Sequence, residues 1–69
     1  MSKYKRIIGS RAIVLETTTN KGGTTINSGE AVTIKGSYRG YEIETDDGRR
    51  ITRVPKDDIR IIRTDLRKQ

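Results

Sequence analysis

The chain contains no cysteine, no histidine, no tryptophan and no phenylalanine. Without these residues there is no disulfide framework, no thiol chemistry and no ordinary zinc site, and the commonest general base of enzymes is missing. Hydrophobic residues make up only 30% of the chain. No run of them approaches the roughly 20 apolar residues that a membrane span needs. These absences predict a soluble, non-enzymatic protein without a cofactor, a bound metal or a membrane partner.

The length of 69 residues predicts one small domain with a minimal core and marginal stability. Because neither disulfides nor metals are available to supplement that core, oligomerisation is the remaining supplement and stays open. The basic N-terminus is followed by an apolar run shorter than the roughly 7–15 residues of a secretory signal. We therefore expect a cytoplasmic location.

Positive charge is in excess, with 15 basic and 9 acidic residues and a net charge of +6. The excess is uneven. Residues 1–15 hold four basic residues and no acidic one, and residues 49–69 hold eight basic residues against three acidic ones. Such clustering is the electrostatic footprint of a nucleic-acid binder. The alternative interpretation is a surface whose basic ends only keep a small protein soluble.

Short apolar runs and alternating patterns predict an all-β chain. Five strands are predicted, at residues 11–15, 30–35, 41–45, 49–53 and 59–62. A long polar hairpin with its tip near Asn20–Gly23 separates the first two strands, and Ile26 is predicted to return to the core. Pro55, followed by two aspartates, predicts one turn of 3₁₀ helix before the last strand.

The hairpin between the third and fourth strands has a predicted register. A three-residue loop, Asp46–Gly48, places Ile43 opposite Ile51 and keeps both on one face of the sheet. The glycine that ends this loop suits the left-handed position of such hairpins. The same register brings Tyr41 near Arg53, within reach of a cation–π contact.

The hairpin between the second and third strands is predicted to have a four-residue loop at residues 36–39. This loop places Ile34 opposite Tyr41 on the core face. It leaves Tyr38 and Arg39 at an exposed tip.

This order of elements resembles that of an SH3-like barrel, with a long first loop, two tight hairpins and a one-turn helix before the last of five strands. The segments Gly29–Ile34 and Gly48–Ile59 carry the resemblance best. It implies a five-stranded barrel at residues 11–62. A basic N-terminal arm then occupies residues 1–10, and a basic C-terminal tail occupies residues 63–69.

Peptide-binding members of that class hold proline-rich ligands in an aromatic-lined groove. Here the equivalent stretch, Ala12–Thr17, has no aromatic residue, and the chain has no tryptophan. A proline-rich peptide ligand is therefore not expected. The segment Gly29–Gly40 also resembles the opening of the KOW-type barrels of ribosomal proteins and transcription elongation factors, a resemblance that favours RNA or DNA.

The clustered carboxylates have a structural interpretation rather than a catalytic one. Glu42 and Glu44 are predicted on the outward face of a strand, where pairing with Arg50 or Lys35 contributes about 0.2–1 kcal/mol per pair. We do not expect them to form a metal site or an acid/base pair, and no base is placed to activate a serine.

The predicted binding site consists of basic residues and one exposed tyrosine. Its members are Lys3, Lys5, Arg6, Lys35, Tyr38, Arg39, Arg49, Arg50 and Arg53. Because only three tyrosines are available for stacking, phosphate contacts should dominate, so the sequence predicts low-specificity binding of RNA or DNA. The alternative that stays open is a protein–protein interaction or regulatory module, such as an adaptor or a small phage or mobile-element protein. In that case the same arginines meet an acidic protein surface.

Overall fold

The structure is a computed structural model that describes residues 7–63 of the chain. Five strands form one antiparallel sheet in the order β6-β5-β4-β1-β7. They are β1 (Arg11–Val14), β4 (Ala31–Gly36), β5 (Tyr41–Glu44), β6 (Arg50–Val54) and β7 (Ile59–Arg63). Two short strands, β2 (Thr18–Thr19) and β3 (Thr25–Ile26), pair with each other inside the long first hairpin, and a 3₁₀ helix at Lys56–Asp58 directly precedes β7.

The all-β prediction is confirmed, as are the positions of the five strands of the main sheet and of the 3₁₀ helix. The predicted count of five strands is wrong, because residues 7–63 already contain seven. The two additional strands are only two residues long. Their threonines lie among polar residues, so no hydrophobic pattern marked them as strands.

The core is built from small and β-branched side chains that alternate with exposed residues along the strands. Within residues 7–63 its buried members are Ala12, Val14, Ile26, Val32, Ile34, Tyr41, Ile43, Ile51, Val54 and Ile59. Ile26 is completely buried, as predicted, and so attaches the β2–β3 hairpin to the main sheet. Full burial of a side chain of this size contributes about 1.5–3 kcal/mol.

The register predicted between β5 and β6 is confirmed near the turn. Ile43 lies opposite Ile51, and Glu44 lies opposite Arg50. Gly48, at the end of the three-residue loop, has a φ of 97°, which is the left-handed conformation that the turn requires.

The far end of the β5–β6 pair departs from the prediction. Tyr41 lies opposite Val54, so that Thr52 and Arg53 together face Glu42 alone. Two residues against one is a β-bulge, and it turns Thr52 and Arg53 both towards solvent. Arg53 has a φ of 58° at this bulge.

The predicted cation–π contact between Tyr41 and Arg53 is therefore wrong, because the bulge carries Arg53 away from the tyrosine. Instead, the ammonium nitrogen of Lys56 lies 5.4 Å from the centroid of the Tyr41 ring. Tyr41 itself is buried.

The register predicted between β4 and β5 is also wrong. Ile34 lies opposite Ile43 rather than Tyr41, and the register shifts again before Gly36. The four-residue connection lies at residues 37–40, one position later than predicted, because β4 continues through Gly36, which pairs with Glu42. The error is two residues, and a shift by two keeps every side chain on its predicted face.

Residues 7–10 run along β4 before β1 begins. The amide of Gly9 donates to the carbonyl of Ile34 at 2.7 Å, and the amide of Ile34 donates to the carbonyl of Ser10 at 2.9 Å. The rest of the predicted N-terminal arm, with Lys3, Lys5 and Arg6, lies outside the described residues, as do residues 64–69 of the predicted tail.

Candidate functional site

The outward face of β4, β5 and β6 carries a charge network that the sequence predicted. The ammonium of Lys35 lies 3.7 Å from a Glu44 oxygen. The guanidinium of Arg50 lies 3.1 Å from Glu42 and 3.3 Å from Glu44. The predicted pairing of these two carboxylates with Arg50 and Lys35 is confirmed. The four groups together carry no net charge, so this network leaves little attraction for a polyanion.

Arg49 is held by three separate parts of the chain. Its Nη2 lies 2.6 Å from Glu30 Oε1, and its Nε lies 3.0 Å from Asp47 Oδ1. Its Nη1 donates to the carbonyl of Thr25 at 3.0 Å and to Glu30 Oε2 at 3.0 Å. Arg49 thus connects β3, the segment before β4 and the β5–β6 turn, so its guanidinium is already occupied by protein acceptors.

These contacts alter the acidity of both carboxyl partners. The hydrogen bond from Arg49 lowers the pKa of Glu30 below its ordinary 4.5. The hydroxyl of Thr45, followed by Arg49, lowers the pKa of Asp47 to about 2. Hydrogen bonds to Glu30 and then to Asp47 raise the pKa of Arg49. The stability that these carboxylates contribute is therefore present above their ordinary pKa values and is lost as the pH falls through the lowered ones.

We expect an acid-dependent effect of Arg49→Gln. At neutral pH the variant should have a melting temperature several degrees below that of the wild type, because both carboxylates lose their guanidinium partner. The difference should shrink between about pH 4.5 and pH 2, as the carboxyl groups become protonated in the wild type as well. Thermal unfolding followed by circular dichroism across this range measures it. Arg60→Gln is the matched control, and a difference that does not change with pH would contradict the assignment.

Other cations remain unpaired. Within residues 7–62, five basic side chains form no ion pair with another residue of that segment: Lys21, Arg39, Arg53, Lys56 and Arg60. Exposed cations that no carboxylate neutralises are the ones most available to an anionic partner. Three of the five lie close together.

Lys21 and Arg53 line one cleft between the β2–β3 hairpin and β6. The cleft has a volume of about 500 Å³ and is lined by residues 18–22 and 51–53. Three threonine hydroxyls and the amide of Asn20 accompany the two cations in its lining, and Ile51 is its apolar member. Cations together with hydroxyl and amide donors suit a phosphate or another oxyanion.

The hairpin wall of this cleft is held in shape by its own hydrogen bonds. The side-chain oxygen of Asn20 accepts from the amide of Thr24 at 2.9 Å, and the hydroxyls of Thr19 and Thr25 lie 2.9 Å apart. The carbonyl of Thr25 is the acceptor of Arg49 described above. Arg49 therefore holds β3, which pairs with the cleft-lining strand β2, and is a positioning residue for this wall.

The turn between β4 and β5 lies against Arg53. A Cβ atom placed on Gly40 would be 3.2 Å from the Arg53 Cα and 2.7 Å from the carbonyl oxygen of Val54. The two residues before Gly40 project from the surface. Tyr38 is 74% exposed, and the guanidinium carbon of Arg39 lies 5.3 Å from the centroid of its ring.

Arg39 and Arg53 share an unusual backbone conformation. Their φ values are 57° and 58°, and within residues 7–63 no other residue except glycine has a positive φ. Side chains of this size favour the left-handed conformation less than the ordinary one by about 1–2 kcal/mol. Backbone strain concentrates at functional sites, so two strained arginines side by side indicate a site.

We call Lys21, Tyr38, Arg39 and Arg53 the basic patch. Three of its members were predicted from the sequence. Arg53 lines the cleft, and the turn that carries Tyr38 and Arg39 lies against the backbone of Arg53. Lys21 was missed, because its segment reads only as a hairpin tip. Of the other predicted residues in the described segment, Lys35, Arg49 and Arg50 lie outside the patch and are engaged in ion pairs.

Two further kinds of site are absent from residues 7–63. No three histidine, cysteine, aspartate or glutamate side chains there are grouped so as to hold a metal ion. No helix in this segment has the length and hydropathy required to cross a bilayer.

Comparisons with known proteins add no family. No family model matches the chain, and neither the curated proteins nor the solved structures gave a match. The function of this chain therefore has to be inferred from its own charges, cleft and exposed side chains.

Proposed function

We propose that this protein is a non-enzymatic binding module that binds RNA or DNA with low sequence specificity through the basic patch. The observation that carries the proposal is the separation of its charges. The cations on the outward face of the sheet are paired with carboxylates, whereas those of the basic patch form no ion pair in the described segment. Two of the patch cations, Lys21 and Arg53, line a polar cleft. Lysines and arginines that neutralise backbone phosphates supply most of the affinity of sequence-independent binding.

Low specificity follows from the chemistry of the patch. A nucleotide sequence is read by hydrogen bonds and apolar contacts to base edges, whereas phosphate contacts only position the protein on the nucleic acid. The patch offers two arginines, one lysine and one tyrosine. So small a set supplies charge for phosphates but too few groups for an ordered array of base contacts.

The same proposal includes the fold family and the location. The long first hairpin, the two tighter hairpins and the 3₁₀ helix before the last strand support assignment to the SH3-like barrels. The five strands of the main sheet fall at the positions that the sequence pattern predicts. A cytoplasmic location remains part of the proposal.

Arg53→Asn tests the proposal, because asparagine removes the charge and tolerates the left-handed conformation. Binding of a labelled homopolymer of about ten nucleotides is followed by fluorescence anisotropy from about 50 to 200 mM salt. We expect severalfold weaker binding and a plot of log affinity against log salt that is shallower by about 0.7, the value for one phosphate of a single strand.

Arg60→Gln is the matched control, because Arg60 is also an exposed cation without an ion pair in the described segment but lies on β7, away from the cleft. It should leave the affinity and the salt slope nearly unchanged. Equal effects of the two variants would contradict the patch. Absence of wild-type binding at about 50 mM salt would overturn the function itself. Capture of a partner that survives nuclease treatment would then support the alternative of an acidic protein surface.

A further inference from the structure

The side chain of Tyr38 is largely exposed to solvent. It is 74% exposed at the tip of the β4–β5 turn, and its described ring contact is with Arg39. A guanidinium stacked on an aromatic face holds the ring in one orientation and adds positive charge beside it. The ring is therefore a positioned, solvent-facing platform next to the basic patch.

An exposed aromatic ring distinguishes single-stranded from double-stranded nucleic acid, because it stacks only on an accessible base face. In a duplex the faces of the bases are covered by their neighbours, whereas an unpaired base presents a face on which tyrosine can stack. Phosphate contacts alone do not distinguish a single strand from a duplex, since both carry backbone phosphates. The combination of an exposed ring and a cationic cleft is typical of proteins that bind single strands.

The Tyr38 turn and the cleft lie close enough for one nucleic-acid strand to contact both. Gly40 lies against the backbone of Arg53, so the turn that carries Tyr38 adjoins a residue that lines the cleft. Lys21 lines the same cleft. Tyr38 precedes Gly40 by two residues, so a strand whose phosphate is held at Arg53 would have this turn within reach of a neighbouring base.

We infer that the ligand is a single-stranded nucleic acid, with a backbone phosphate held in the cleft by Lys21 and Arg53 and an unpaired base stacked on Tyr38. This inference rests on the proposed function and specifies its ligand. Arg53 has its positive φ at the bulge, and the bulge turns both Thr52 and Arg53 outward, into the cleft lining.

The test compares two ligands with the same number of phosphates. One is a homopyrimidine strand of about ten nucleotides, and the other is an abasic strand of equal length. Stacking of one base contributes a factor of about 5 to 140 in affinity, so Tyr38→Ala should weaken binding of the homopyrimidine strand at least about fivefold. Binding of the abasic strand should not change, because Tyr38→Ala removes no charge. Tyr38→Phe, which keeps the ring, should bind both strands as the wild type does.

Arg53→Asn gives the complementary result, because it should weaken binding of both strands by the same factor. A wild type that binds neither strand overturns the proposed function. If the wild type binds both strands and Tyr38→Ala weakens binding of both equally, or of neither, the stacking inference is overturned. Nucleic-acid binding itself then stands. Unchanged thermal unfolding of Tyr38→Ala, expected for so exposed a side chain, shows that any loss is a loss of contact.

Discussion

Replacing Ile43 with alanine is expected to remove a large share of the protein's free energy of unfolding. Ile43 is completely buried in β5, opposite Ile34 of β4 on one side and Ile51 of β6 on the other. Truncation of such a side chain costs about 2–5 kcal/mol, because the cavity is only partly refilled. The total stability expected for a chain of this length is roughly 3–10 kcal/mol.

Urea unfolding followed by circular dichroism measures this effect. Ile62→Ala is the matched control, since Ile62 also lies in a strand of the main sheet but is 55% exposed. Its unfolding free energy should stay within about 0.5 kcal/mol of the wild type. Similar midpoints for the two variants would show that the core is not arranged as described.

Gly40→Ala should also be strongly destabilising. Gly40 has a φ of 118°, and an added Cβ would meet the carbonyl oxygen of Val54 at 2.7 Å and the Arg53 carbonyl carbon at 3.0 Å. These neighbours are backbone atoms of the β6 bulge, so they cannot move without disturbing the strand. We expect a loss of about 3 kcal/mol, from backbone strain and overlap combined.

Gly48→Ala separates the two causes, because Gly48 also has a positive φ, of 97°, but an added Cβ would meet nothing within 4 Å. Its loss should be about 1–2 kcal/mol, the cost of strain alone. Gly40→Ala should in addition weaken nucleic-acid binding at temperatures where it is folded, since the turn that carries Tyr38 is pushed away from Arg53. Equal losses of stability in the two variants would contradict the close approach.

The prediction of the fold succeeded where the sequence pattern is local. Strand positions follow from the two-residue period of buried and exposed side chains, and the β5–β6 turn follows from a glycine at the left-handed position. The β4–β5 register failed because its turn contains a non-glycine residue, Arg39, in the left-handed conformation. No local preference predicts that choice, which the surrounding structure imposes.

The same distinction applies to the candidate site. Composition and spacing determined by themselves that the chain is all-β and basic and lacks the common catalytic groups, because these properties depend on residue type and local order. Which cations are available was decided only by the tertiary structure. Arg49 and Arg53 lie four residues apart, yet one is held by Glu30 and the other faces the cleft. The reason is physical, since an ion pair depends on which distant residues the folded chain brings within a few ångströms of each cation.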